Sequence, residues 1–258
     1  MMIPWQPLAD RVLATLRRLS GDDLVAVWVH GSAAQGSFVV GRSDLDVLVV
    51  VPDHAEADWG QVGHAVAEAA TDGGRESIPL ELSIIRRSLA ESPREPWSFA
   101  VHVATHPGQR RDSRVVPDDG HGDIDLLLHL AVARQQGITL LGASPDALVG
   151  EIDRDTVVDQ LVEELRWAVD EADECYAVLN ACRAWRFAET GDLVSKGEGG
   201  EWARTRLPDH AAVIERCLAR QGGAEPAGRE RDNSERGEPA TMAGRALVAE
   251  VLDELTWG

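Results

Sequence analysis

Residues 24–51 read LVAVWVHGSAAQGSFVVGRSDLDVLVVV. Two apolar runs, 24–29 and 47–51, flank a polar centre and read as buried strands. Between them stands His30-Gly31-Ser32, then eleven residues, then Asp44-Leu45-Asp46. One residue separates the two aspartates, so on an extended strand both carboxylates project to the same side. Carboxylates held that close repel each other unless a cation neutralises them. The hard, oxygen-seeking cation generally used beside phosphates is Mg²⁺. Gly31 allows close backbone approach, while a free N–H and the Ser32 hydroxyl can grip a phosphate. Asp-x-Asp alone is common and Gly-Ser alone is a turn signal. Their combination between two strands, with Arg42-Ser43 turning into the acidic pair, points to nucleotidyl transfer.

Composition bounds the reading. At 258 residues the chain suits one large domain or two small ones, and 44% apolar residues are ample for buried cores. No N-terminal basic head precedes a long apolar run, and no stretch approaches the length of a membrane span, so a soluble, cytoplasmic monomer is expected, with no membrane partner. Cys175, Cys182 and Cys217 show no metal-ligand spacing and, being three, argue against a disulfide framework. The net charge of −19 weighs against a nucleic-acid partner and suits a small cationic substrate, although acidity also simply keeps a protein soluble. Of the 25 basic residues only Lys196 is a lysine. Its compact charge could meet a phosphate.

Along the chain, residues 5–20 have the spacing of an amphipathic helix, followed by strand 24–30, the Gly-Ser turn, strand 44–51 and a helical pattern over 55–72. Residues 78–85 alternate as a strand, with Leu80, Leu82 and Ile84 opposite Glu81, Ser83 and Ile85. Residues 86–120 look irregular, a connection closing a first domain at 1–120 with a mixed sheet. Helical patterns then cover 123–136, a long 154–189, 199–220 and 241–256, with a short apolar run at 138–141. They define a second, all-helical domain at 121–258, in which 222–240 has the composition of a flexible linker. The predicted fold class is α/β followed by all-α.

Transfer of a nucleotidyl group to an alcohol gains from a base that takes the hydroxyl proton. Glu81, a carboxylate within the apolar strand, reads as that base or as a third metal ligand, or as an outward-facing strand residue; Glu76, in the preceding turn, is a weaker choice. In the long helical pattern Asp173, Tyr176, Asn180 and Arg183 are spaced three, four and three apart. They form one polar stripe, which is either a solvated face or the approach to a site.

The Gly-Ser…Asp-x-Asp arrangement resembles the signature of the polymerase-β-like nucleotidyltransferase superfamily. A closer resemblance lies downstream. CRAWRFAETGDLVSK (182–196) and EWARTRLPDHAAVIERCLAR (201–220) are similar to the C-terminal half of the aminoglycoside (3'')(9) adenylyltransferases, which confer streptomycin and spectinomycin resistance. The shared pattern is Arg-x-Trp, Thr-Gly, Ser/Pro-Lys, Trp-Ala and Arg-Leu-Pro. With DIDLLLHLAVARQQGITLLG (123–142) and PLELSII (79–85), the resemblance covers residues 20–221. It implies an N-terminal nucleotidyltransferase domain and a C-terminal helical bundle, with ATP as co-substrate and two Mg²⁺ ions. By that resemblance Gly31 and Ser32 serve the triphosphate, Asp44 and Asp46 hold Mg²⁺, and Glu81 is the base. Arg183 and Lys196 reach the phosphates. Asp173, Tyr176 (where some relatives carry histidine) and His106 face the cationic antibiotic. Two alternatives remain: a transferase of this fold that AMPylates a protein partner, and a non-catalytic nucleotide-binding regulator.

Overall fold

The computed structural model describes residues 3–21, 23–72, 78–106, 113–222 and 241–257. The chain forms two units, Met1–Ile152 and Asp153–Gly258. Glu76 and residues 223–240 of the expected linker lie outside the described residues.

The first unit is built on a six-stranded mixed sheet of order β5-β4-β3-β2-β1-β6. Its strands are β1 (Ala26–His30), β2 (Leu45–Val51), β3 (Leu80–Arg86), β4 (Val101–Ala104), β5 (Arg114–Pro117) and β6 (Ile138–Gly142). Only β2 and β3 pair in parallel, joined by a crossover through helix α3 (Trp59–Thr71); all other neighbours are antiparallel. One face buries Val27, Val29, Val47, Val49, Leu80, Leu82 and Ile84 against α1 (Gln6–Ser20) and α3. The other buries Ala26, Trp28, Leu48, Val50 and Ile85 under α4 (Arg87–Glu91) and α5 (Asp125–Gln136). The alternation expected of β3 is thus the one observed. A short helix α2 (Gly31–Ala34) follows β1 directly where a turn was expected.

Two expectations need correction here. Residues 86–120 are not irregular: β4 and β5 lie within them and extend the sheet. Both strands have only four residues, and β5 carries Arg114 and Pro117 at its exposed ends, as edge strands do, so the apolar signal is weak. The boundary read at 120/121 also moves, because β6 hydrogen-bonds to β1 and Trp28 Nε1 donates to the Ala143 carbonyl at 2.7 Å. Helix α5 and β6, with α6 (Pro145–Leu148), therefore belong to the first unit, which ends at Ile152.

The second unit is helical: α7 (Arg154–Glu171), α8 (Glu174–Thr190), α9 (Lys196–Arg204), α10 (Ala211–Gln221) and α11 (Met242–Trp257). The long pattern over 154–189 divides at Asp173, whose carboxylate accepts from the Cys175 and Tyr176 N–H groups and starts a new helix. Likewise 199–220 divides into α9 and α10 at a 3-10 turn over Pro208–His210. Helix α8 is the centre, packed by α7, α9, α10 and α11, and it is buried on most of its circumference. Gly199 lets α9 approach closely, since a Cβ there would stand 2.9 Å from the Arg183 Cα and N atoms. Among the described residues no helix is long and apolar enough to cross a membrane.

Candidate active site

In the first unit a polar row runs across the sheet. His30 pairs in register with Asp46, and Asp46 with Glu81. Register partners on adjacent strands share a face, so the three side chains emerge together on the side covered by α5. Gly31 bends sharply away from β1 with φ +58°, and a Cβ there would lie 2.0 Å from Asp46 Oδ2. Only glycine leaves the Asp46 carboxylate its place. Ser32 follows, its Oγ buried and with no hydrogen-bond partner among the described residues. A buried hydroxyl without a partner carries a penalty unless a ligand satisfies it.

Asp44 is exposed, just before β2, and Asp46 is half-buried. Both carboxylates supply hard oxygen donors of the kind Mg²⁺ takes, so the residues fit that ion. Among the described residues no group of three or more His, Cys, Asp and Glu side chains is arranged to hold a metal by itself. Phosphate oxygens or water would have to complete the coordination, which is the usual habit of Mg²⁺.

One histidine, His30, belongs to the row and two more, His129 and His102, flank it; the sequence alone assigned none of them a role. His30 is 3% exposed and its ring centroid lies 4.9 Å from that of His129 on α5. Burial first, then the neighbouring His129, hold His30 well below the ordinary imidazole range, so it is neutral near pH 7. His129 Nε2 stands 3.9 Å from Glu81 Oε1. His102 pairs in register with Ser83 and its Nδ1 lies 2.9 Å from Ser83 Oγ. Burial lowers its pKa too, against the upward pull of Glu81 and Asp123. Glu81 itself keeps 36% of its side chain exposed and can reach a substrate. A lone histidine in the apolar run of α5 was the available signal for His129.

In the second unit the polar stripe is not a solvated face. Asn180 is 2% exposed, and Asp173, Tyr176 and Arg183 are half-buried. Asp173 caps α8 and pairs with Arg220 at 3.1 Å. Lys196 Nζ lies 3.9 Å from the centroid of the Tyr176 ring, and the Tyr176 hydroxyl donates to Glu164 at 2.8 Å. Arg183 is close enough to Tyr176 to influence its ionisation. Trp185 and Trp202 of the downstream motifs meet edge to face at 4.8 Å, and Arg206 covers Trp202 at 4.2 Å. Those motif residues hold α8 and α9 together. His106 is exposed, two residues beyond the end of β4, whose last residue, Ala104, pairs in register with Glu81.

Known proteins share both halves. The family model for the nucleotidyltransferase domain matches residues 9–91, and that for the aminoglycoside adenylyltransferase C-terminal domain matches 147–242. A spectinomycin 9-adenylyltransferase of Staphylococcus aureus (strain N315) is 27% identical over 228 residues, covering 83% of each chain. An aminoglycoside (3'') (9) adenylyltransferase of Klebsiella pneumoniae is 25% identical over 212 residues, covering 77% of this chain and 78% of that one. The crystal structure of the spectinomycin adenyltransferase AAD(9) from Enterococcus faecialis, with ATP and spectinomycin, matches with a TM-score of 0.71 at 18% identity, over 95% of this chain and 98% of that one, and shares the fold. With a nucleotidyltransferase domain whose sheet carries Gly31, Asp46 and Glu81 in one half and the matching helical domain in the other, the chain is an enzyme of the nucleotidyltransferase type, similar along most of its length to the spectinomycin and aminoglycoside (3'')(9) adenylyltransferases.

Proposed function

We propose that the enzyme transfers AMP from ATP to a hydroxyl of an aminoglycoside or aminocyclitol antibiotic, spectinomycin and/or streptomycin, with release of pyrophosphate. The observation that carries this reading is the register that sets Asp46 beside Glu81 on one face, with Gly31 pressed against Asp46. Gly31 and Ser32 bind the triphosphate, and Asp44 and Asp46 would hold two Mg²⁺ ions. Bound Mg²⁺ would neutralise charge on the phosphates. A carboxylate oxygen of Glu81 accepts the proton of the drug hydroxyl as the hydroxyl oxygen attacks the α-phosphorus and the bond from that phosphorus to the departing pyrophosphate breaks. Neutral His30 adds no positive charge to the row. Arg183 and Lys196 offset charge on the phosphates, and Asp173 and Tyr176, with His106, attract the cationic drug. The negative charge of the chain favours its approach.

A pyrophosphate-release assay with ATP and Mg²⁺ against an antibiotic panel tests this reading. Spectinomycin or streptomycin should accelerate release, and Asp46→Asn, folded as the wild type, should abolish it. If no drug on the panel accelerates release, the substrate reading fails. If Asp46→Asn keeps full activity, the metal assignment fails.

A further inference from the structure

The chain has one lysine and one tyrosine, and the two are in contact. Both partners are fixed by other elements of the second unit. Lys196 is the first residue of α9, whose start is held by a capping box: Glu198 N–H donates to Ser195 Oγ at 3.2 Å, and Ser195 N–H to Glu198 Oε2 at 3.1 Å. On the other side, Glu164 of α7 anchors the Tyr176 hydroxyl, and Trp167 of the same helix meets the ring edge-on at 6.2 Å and 88°. Burial and the Glu164 carboxylate both push the phenol pKa up, so the ring stays a neutral donor. Three helices thus converge to set one ring face beneath one ammonium.

We propose that Tyr176 is the positioning residue of Lys196: its ring face seats the ammonium ready for a nucleotide phosphate, and Tyr176 acts on ATP through the lysine. This deepens the assignment of Lys196 to the phosphates and rests on it. A lysine has a long, freely rotating stem, and ordering it only when phosphate arrives would weaken binding. An aromatic face attracts the cation through its charge and uses none of its three N–H donors. The role expected from sequence, contact with the drug, gives no reason for ATP affinity without drug to depend on this ring.

The test is calorimetry with a non-hydrolysable ATP analogue and Mg²⁺ in the absence of antibiotic, on the full chain. Tyr176→Phe keeps the ring and should bind within about two-fold of wild type, whereas Tyr176→Leu should bind about five- to ten-fold more weakly. Tyr176→Met fills the space without a ring and takes the same test should the leucine variant not fold, thermal melting being the check. In a Lys196→Ala background, Tyr176→Leu should cost nothing further. Wild-type affinity in Tyr176→Leu beside weakened Lys196→Ala overturns the seat and leaves Lys196 a phosphate ligand. Equal losses from Tyr176→Leu in both backgrounds overturn it too, because the ring then acts independently of the lysine. Wild-type affinity in Lys196→Ala overturns the phosphate assignment and the seat together.

Discussion

At Gly31 the missing side chain is the feature that matters. A methyl group there would collide with the Asp46 carboxylate, and the positive φ adds strain for any L-residue. Gly31→Ala should therefore lower kcat at least about a hundred-fold by moving Asp46, while melting falls by only a few degrees, on the order of 1–2 kcal/mol. Steady-state kinetics beside a thermal melt would check it, and an active Gly31→Ala enzyme would show that Asp46 need not stand where it does. Glu81 makes a separate claim. Glu81→Gln keeps shape and loses basicity, so kcat should fall about 10²- to 10⁴-fold with ATP affinity unchanged. A normal kcat would leave Glu81 a strand residue and the base unassigned. These residues were legible because their chemistry is written in local spacing: Gly-Ser, Asp-x-Asp, and a carboxylate alternating within a strand. His129 was not, because its approach to Glu81 depends on where α5 packs, which no local pattern states.

Elements show the same division. Strands β1, β2 and β3 have strong apolar runs and were read nearly to their ends, whereas β4 and β5 are short and mixed and were missed. The single helix expected over 154–189 divides because the Asp173 side chain competes for backbone N–H groups, a capping tendency that helical periodicity hides. Glu174, the next residue, does something periodicity cannot reveal. The residue is 7% exposed, and its carboxylate accepts from Thr241 N–H at 3.1 Å and from the Thr241 hydroxyl and pairs with Arg216 at 3.0 Å. It thereby fastens the start of α11, where Gly244 leaves it room. Arg245–Asp170 at 3.1 Å and His210–Glu250 at 2.9 Å hold the same helix further along. Glu174→Ala should destabilise the second unit by about 2 kcal/mol, with hydrogen exchange quickest to rise in α11. Protection of α11 equal to wild type would show the clasp to be dispensable. Burial pushes the Glu174 pKa up, but the bonds from Thr241 and Arg216 outweigh it and the net shift is downward. Its contribution is therefore complete above the ordinary carboxylate value and is lost as pH falls through the lowered one.

For the whole molecule, the order of an α/β half and a helical half was legible from the change in texture, but their boundary was not. Helix α5 and β6 look like the beginning of the helical half until β6 is seen paired to β1, a contact about a hundred residues apart in sequence. The boundary matters for function because the residues assigned to ATP are divided between the units, with Gly31, Ser32, Asp44 and Asp46 in the first and Arg183 and Lys196 in the second. If one nucleotide engages both sets, ATP and antibiotic binding must be coupled, and the coupling must be reciprocal. Drug affinity should then rise about five- to a hundred-fold when a non-hydrolysable ATP analogue and Mg²⁺ are present. Lys196→Ala should lose most of that gain while binding the drug as the wild type does without nucleotide. Calorimetric titration of spectinomycin into both proteins, with and without the analogue, gives the four affinities required. Equal drug affinity with and without nucleotide in the wild type would mean that the two ligands bind independently, even if adenylyl transfer were confirmed. A gain that persists undiminished in Lys196→Ala would place the coupling elsewhere than in this lysine.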